Sequence, residues 1–520
     1  MRKALVLLAM CLLLFLPKAE AAPRGTLLFV PLDNRPVCFE YAVQTMTAAG
    51  WEVLTPPEAL IASNEHSGQP EALFEWLHKQ APQAYGVVLS TDALLYGGLV
   101  DSRTHQIDFA VLQERAQKLL KLKQQHNLLQ VYAFATIMRS PKAASAPTEP
   151  AYFGEWGGKL FTLGALEDKL DLKQITSKEK KLLAIYREEI PIEIVADLMN
   201  RRGKNIRATE LLLQGVESGS FDYLLIGRDD TAPFSQAHKE ARHISNLVNK
   251  LPKEKIRFFS GADQLGLLLL SRAQTKLAYE VPLVYTYFAQ GKGGATIPSY
   301  EDEPIAFSSL QHIYAAGAWR TKSPERADLL LAVNTPQDGI THEASSAYNN
   351  APLAPAQKEF LDRTEAYLNE GKAVTVADVA FGNGADKALI EGMLAKKMPW
   401  RLASYGGWNT AGNALGFALA QGLLAKNISR ADKNMLLMVR YLDDWAYQSN
   451  VRGAVAAELV WPNHWPSSNF NAEQLARAEA LITEKMQALA VPKFGAAELA
   501  GYKYNLPWRR MFEIRVANEK

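Results

Sequence analysis

Short β-branched or apolar runs alternate with longer segments of helical periodicity along nearly the whole chain, and this alternation constrains the fold more than any other feature. The expected strands are Leu27 to Pro31, Glu52 to Thr55, Val87 to Ser90, Val131 to Ile137, Tyr223 to Ile226, Ile256 to Ser260, Leu283 to Tyr287, Leu329 to Val333, Ala373 to Val379 and Leu402 to Tyr405. Between them lie helical segments such as Phe39 to Ala49, Ala110 to Gln125, Gln236 to Lys250, Ala356 to Asn369 and Asp386 to Lys397. Strands joined through helices pair in parallel, so the expected class is α/β, a mainly parallel sheet with crossover helices. A (β/α) barrel with an added domain and two doubly wound halves both satisfy the pattern. From about Ala431 onward the pattern becomes helical.

The chain opens with Arg2 and Lys3, an apolar run from Ala4 to Leu16, then Pro17 and Ala19-Glu20-Ala21. This order is that of a secretory signal peptide covering 1–21. The run is too short to cross a bilayer about 30 Å thick at 1.5 Å per residue. Met10 before Cys11 does not fit a lipid-attachment site. The expected mature protein is extracytoplasmic, secreted or periplasmic, with no membrane span after cleavage. Cys38 is then its only cysteine, so no internal disulfide can hold the fold. The expected division is a main α/β domain at 22–345 and a second, α/β to helical domain at 346–520, separated by the Pro-, Asn- and Ser-rich stretch Asn334 to Pro355. A second long stretch, Arg139 to Gly164, carries Tyr152, Phe153, Trp156 and Phe161, which suits a lid over a pocket.

Lys and Arg total 57 against 55 Asp and Glu, and loss of residues 1–21 brings the net charge from +2 to about 0. Phosphate neutralisation cannot drive binding on that balance, so no nucleic-acid partner is expected. No nucleophile elbow or phosphate loop occurs, and Gly382-Asn383-Gly384 lacks the third glycine of a dinucleotide loop, so no cofactor is expected. His238 and His243 stand five apart, off the i, i+4 spacing of a helical zinc pair, and no residue is assigned to a metal.

Ligands of α/β folds sit at the carboxyl ends of strands, and these positions are unusually polar here. They offer Asp33 and Arg35, Asp92, Arg139, Asp229 and Asp230, Asp263, and Asp378. Each Asp has the alternative duty of capping the following helix. Asp229-Asp230 escapes it best, because Ser235 already suits the cap of the next helix. Two adjacent carboxyls push one pKa upward and yield a donor and an anion together, the pairing needed for general acid catalysis. The turn Ser404 to Asn413 supplies Trp408, Asn409 and Asn413, an indole and amides suited to a sugar; its alternative is a glycine-rich turn with Trp408 in the core. Tyr96 and Arg103 form another polar cluster. Arg440, Asp444, Gln448 and Arg452 share one face of an expected helix, where a salt-bridge stripe is the ordinary explanation.

Pro31-Leu32-Asp33-x-Arg35-Pro36, Leu94-Leu95-Tyr96-Gly97-Gly98-Leu99-x-x-Ser102-Arg103, Gly227-x-Asp229-Asp230, Gly261-Ala262-Asp263 and Gly407-Trp408-Asn409-Thr410-x-Gly412-Asn413 occur in this order. With them the chain resembles a bacterial family of unknown function over nearly all of its mature length. The resemblance implies one long domain arrangement and no particular activity. The Asp-Asp pair alone looks like the acid pair of β-N-acetylhexosaminidases that use the substrate's acetamido group as nucleophile, although those enzymes typically pair Asp with Glu. That likeness implies that Asp229 orients the acetamide and Asp230 is the acid.

The leading expectation is therefore an exported hydrolase acting on a carbohydrate, a glycosidase with Asp229 and Asp230 as catalytic residues. Asp33, Arg35, Asp92, Tyr96, Arg103, Arg139, Asp263, Asp378, Trp408, Asn409 and Asn413 are the expected binding residues for a small-molecule or oligosaccharide ligand. The alternatives are a non-catalytic sugar or cell-wall-fragment binding protein and an Asp-ligated metal hydrolase.

Overall fold

A computed structural model describes residues 23–142 and 148–519; the leader expected at 1–21 lies outside the described residues. All ten expected runs are strands. The first six are β1 (Thr26–Val30), β2 (Glu52–Leu54), β3 (Gly86–Ser90), β4 (Gln130–Ile137), β5 (Tyr223–Arg228) and β6 (Ile256–Ser260). They form one parallel sheet in the order β2-β1-β3-β4-β5-β6. Then follow β7 (Leu283–Phe288), β8 (Trp319–Arg320), β9 (Leu329–Asn334), β10 (His342–Glu343), β11 (Val374–Asp378), β12 (Phe381–Gly382) and β13 (Ser404–Gly406). Of these, β8-β7-β9-β11-β13 make a second parallel sheet, and β10 pairs with β12 as a short ribbon. Both sheets are open. The protein is doubly wound in each half, and the barrel alternative does not form.

The strands read as continuous apolar runs because helices cover both faces of each sheet. Every residue of β3, β9 and β11 is buried. Two helices, Leu265–Leu277 and Ala411–Leu424, lie against each other between the sheets, and one core cluster runs through both. The second of these is apolar or small on all sides, AGNALGFALAQGLL, and all its residues are buried, as a helix without a solvent face must be. At the end of β5 only a glycine fits: a Cβ on Gly227 would stand 2.2 Å from the Gly261 carbonyl oxygen, so the turns after β5 and β6 lie side by side.

Two local expectations need correcting. The stretch 334–355, read as a boundary at 345, lies inside the second sheet, since β9 before it pairs with β11 after it. Its Pro and Asn residues serve a crossover, and the change of sheet falls instead between β6 and β7. The stretch 139–164, read as a lid loop, becomes helical from Phe153, and the Phe153–Asp171 helix packs Phe153 and Trp156 into a satellite core with Leu183 and Leu198. The C-terminal region is helical, as expected, and also carries an antiparallel pair, β14 (Tyr502–Asn505) with β15 (Arg515–Asn518). No described helix is long and apolar enough to cross a membrane.

Candidate functional site

The carboxyl ends of the first sheet open onto a cavity of 350 Å³. Arg35 comes from the loop after β1, Arg103 from the segment after β3, Arg139 from the end of β4, Asp229 and Asp230 from β5, and Asp263 from β6. The second half contributes Asn409 and Asn413 from the turn after β13. The C-terminal segment closes the space with Ser467, Ser468, Trp508, Arg510 and Phe512.

These groups are held by charge-assisted hydrogen bonds, the strong kind in a water-poor setting. Arg35 lies 2.7 Å from Asp263 and 2.8 Å from Asp33. Asn409 donates its side-chain N–H to the same Asp263 carboxylate at 2.6 Å, while the Asn413 side-chain oxygen accepts the Asp263 backbone N–H at 3.1 Å. Arg103 pairs with Asp229 at 2.6 Å. Arg139 lies 3.0 Å from Asp230 and 2.5 Å from Glu149.

The two adjacent carboxyls therefore differ in kind. Asp229 is ion-paired and only 9% of its side chain is exposed. Asp230 keeps 27% exposed as a lining residue, and its backbone sits at φ +36°, a left-handed conformation that costs energy outside glycine. Burial among protein groups, reinforced by the Asp229 charge, raises the Asp230 carboxyl above the ordinary carboxylate range, with Arg139 and Arg103 opposing. As the sequence suggested, the next helix is capped by Ser235, which accepts the His238 N–H at 3.0 Å, so neither Asp is needed there.

Five expected binding residues do not line the cavity. Asp92 turns into the fold and accepts the Thr136 N–H and hydroxyl at 3.0 and 2.9 Å. Tyr96 is buried with its ring stacked on His105, centroids 5.0 Å apart. Asp378 belongs to the second sheet, where it accepts hydrogen bonds from Asn334, the Asp386 backbone N–H and the Tyr405 hydroxyl at 2.8 to 2.9 Å. Trp408 is a core residue 4% exposed, packed 5.4 Å from Phe512, and Thr410 caps the following helix, so the core-turn alternative holds for the indole. Asp33 stands behind Arg35 without lining the cavity. Glu149, Trp508, Arg510 and Phe512 escaped the sequence reading because none follows a strand end; only the aromatic and basic run Trp508 to Phe512 offered a signal.

The polar face at Arg440 is buried as well. Arg440 meets Asp443 at 2.9 Å and Asp444 at 3.2 Å, and Gln448 Nε2 donates to Asp443, five residues back, at 3.1 Å. The i, i+5 contact arises because Tyr441–Val451 winds as a π-helix, which breaks the expected i, i+4 link from Asp444 to Gln448. Among the described residues no group of three His, Cys, Asp or Glu is arranged to hold a metal ion.

The sequence profile of a family described as Protein of unknown function (DUF4127) matches residues 27–517. The chain belongs to that family. The match runs through both sheets and the C-terminal segment, so the cavity is formed entirely within the family's extent. No curated protein matches the chain.

Two outcomes follow from this geometry. Trp408→Ala should destabilise the fold by roughly 3–5 kcal/mol, the cost of truncating a large buried side chain, without altering ligand response; chemical denaturation with and without ligand measures both, and an intact stability with lost binding would return the indole to the site. Burial raises Asp92 to about 7, and burial with a neighbouring carboxylate raises Asp378 to about 7 and Glu301, a buried residue that accepts the Gly412 N–H at the start of the Ala411–Leu424 helix, to about 8. Each holds its proton more tightly folded than unfolded, where the pKa is about 4. Their stabilising contribution is complete below about pH 4 and is lost as pH rises through 7 to 8. The unfolding temperature should therefore fall between pH 5 and pH 8.5, and Glu301→Gln should flatten that slope; a temperature rising over this range would contradict the assignment.

Proposed function

We propose that the protein is an exported hydrolase acting on a carbohydrate, a glycosidase with Asp230 as general acid and Asp229 as the anion beside it. The observation that carries this reading is the unequal pair: Asp229 bound to Arg103 at 2.6 Å, and Asp230 left on the cavity wall with its carboxyl pushed toward the protonated form. A proton on Asp230 can pass to the leaving glycosidic oxygen as the bond to the anomeric carbon breaks. Carboxyls on adjacent residues are not spaced as an acid and a nucleophile on opposite faces of a sugar, and this reading therefore takes the substrate's own acetamido oxygen as the nucleophile, with Asp229 orienting its N–H. Water then opens the ring so formed, and Asp230 takes back the proton. Trp508 borders the cavity with Arg35 and Arg510 over its ring at 5.7 and 4.9 Å, so the polar side chains of the wall rather than an indole face would meet the sugar in this reading. The leader at the start of the chain is the support for an extracytoplasmic location.

A second reading is favoured by one observation. The cavity lies where two doubly wound halves meet, the position of the ligand in two-lobed binding proteins, so a non-catalytic sugar-binding protein fits the same lining. Turnover separates the two. On a panel of aryl N-acetylglycosides and cell-wall oligosaccharides, wild type should release product, and Asp230→Asn should lower kcat by about 10²- to 10⁴-fold while its unfolding temperature stays put. An equally active variant removes Asp230 as the acid. Saturable binding with no cleavage of any ligand selects the binding protein.

A further inference from the structure

A second cavity, of 430 Å³, lies along β6, the edge strand of the first sheet, where the Gln236–Val248 and Ile305–Ala315 helices pack against it. Its volume is that of a small-molecule site. Arg228 lines it, while Asp229, next in the chain, lines the first cavity. Four cations, Arg228, Arg242, Lys253 and Arg257, border this space against one acid, Glu303.

The charge is unevenly placed along it. At one end Arg228 is spent on Asp302 and Glu303 at 2.6 and 2.8 Å and on the Ser260 hydroxyl at 3.0 Å, so an anion gains nothing there. Arg242 is held through Nη2 by Asp168. At the other end, among the described residues, no carboxylate lies within ion-pair distance of Arg257 or Lys253. Arg257 gives its Nη1 donors to the Lys253 and Ile256 carbonyl oxygens; its Nε–H is buried without an acceptor, and its Nη2 has none either. The Lys253 ammonium makes one hydrogen bond, to the Asn249 side-chain oxygen at 2.7 Å, which leaves two donors over.

Arg272 adds to the excess. It is stacked on Tyr223 at 3.4 Å, and among the described residues no carboxylate pairs with it. Burial lowers its pKa, and the Arg257 charge adds to that effect. Two guanidinium groups thus repel each other with no anion between them, a cost that a bound anion relieves. The carboxyl end of the Gln236–Val248 helix attracts one cation, and Lys253 on its Asn249 cap already serves it. Arg257 remains unexplained by the fold. Its guanidinium is fixed over the Tyr314 ring at 5.2 Å, and the wall beside it is apolar, with Val248, Ile256 and the half-exposed Phe307.

We propose that this second cavity binds a small organic anion, its carboxylate or phosphate on Arg257 and Lys253 and its apolar body against Val248 and Phe307. The site stands apart from the acid pair and serves whether or not that pair is catalytic.

Titration calorimetry on the protein tests it with phenyl phosphate, benzoate, inorganic phosphate and neutral benzyl alcohol. The better of the two aromatic anions should bind about tenfold or more tightly than the alcohol, the worth of one charged hydrogen bond, and it identifies the group. Arg257→Gln should remove that margin, and Asp230→Asn, in the first cavity, should leave it intact. Should Arg257→Gln fail to fold, Lys253→Gln, at an exposed position, takes its place and should also cut the margin. Aromatic anions bound no more tightly than benzyl alcohol overturn the inference, as does a margin that survives both substitutions or one that Asp230→Asn abolishes. Inorganic phosphate bound as tightly as phenyl phosphate overturns the organic body and leaves a site for a free ion.

Discussion

The packing of the Leu265–Leu277 helix on the Ala411–Leu424 helix is the contact on which the rest of the molecule depends. Neither sheet could complete a core without them, because each helix covers one sheet and presents its other side to its partner. Their N-terminal ends lie together, and each is preceded by a polar turn, Asp263 before one and Asn409 before the other. The hydrogen bonds from Asn409 and to Asn413 therefore join the two halves at the cavity wall. A slip of one helical turn, about 5.4 Å, would separate these groups entirely. Small residues at the interface set the register: a Cβ on Gly416 would lie 2.3 Å from the Gln264 side chain.

Charge at this junction is arranged so that no guanidinium is buried without an acid and few acids are buried without a cation. Breaking such a pair leaves an uncompensated charge and costs more than the pair itself contributes. This asymmetry explains why Arg35, Asp33 and Asp263 form a fixed cluster rather than a mobile one. Asp230 is the exception. Its single Arg139 contact is shared with Glu149, and its neighbour on the chain is already an anion, so its own charge is the least supported in the cluster.

The sequence exposed the strands because they are buried on both faces, which leaves long apolar runs with little ambiguity. It exposed Arg35, Arg139, Asp229, Asp230 and Asp263 for a related reason: a polar residue immediately after such a run is at the sheet edge by construction. Asp92 and Asp378 meet the same rule, yet point away, because side-chain direction after a strand depends on the turn and on which backbone groups need an acceptor. Thr136 claims Asp92, and the Asp386 N–H claims Asp378. Trp408 misled because its polar neighbours suggested a ligand, while Phe512, more than a hundred residues on, supplied the packing partner. Trp508, Arg510 and Glu149 were illegible since their position is decided by tertiary contacts alone.

Both halves wind their strands in the same relative order, β2-β1-β3-β4-β5 and β8-β7-β9-β11-β13, so each has a switch point and each rim could in principle hold a ligand. They are used differently because of what covers them. Over the second rim lies the π-helical Tyr441–Val451, whose Asp444 accepts the Gly407 N–H at 2.7 Å; Asn334 donates to Asp378 and Asp386, the Tyr405 hydroxyl donates to Asp378, and Asp386 also caps its own helix through the Ala388 and Leu389 N–H groups. Most of the polar groups there are thus engaged within the protein, although the buried Asn334 Oδ1 has no partner among the described residues. The first rim is met instead by turns of the C-terminal segment that bring Ser467, Ser468, Trp508, Arg510 and Phe512 to it, leaving a gap beside the carboxyl pair. A strand-end position is thus necessary but insufficient for a site; it becomes one where the covering segment brings its own ligand-facing groups and stops short of filling the space.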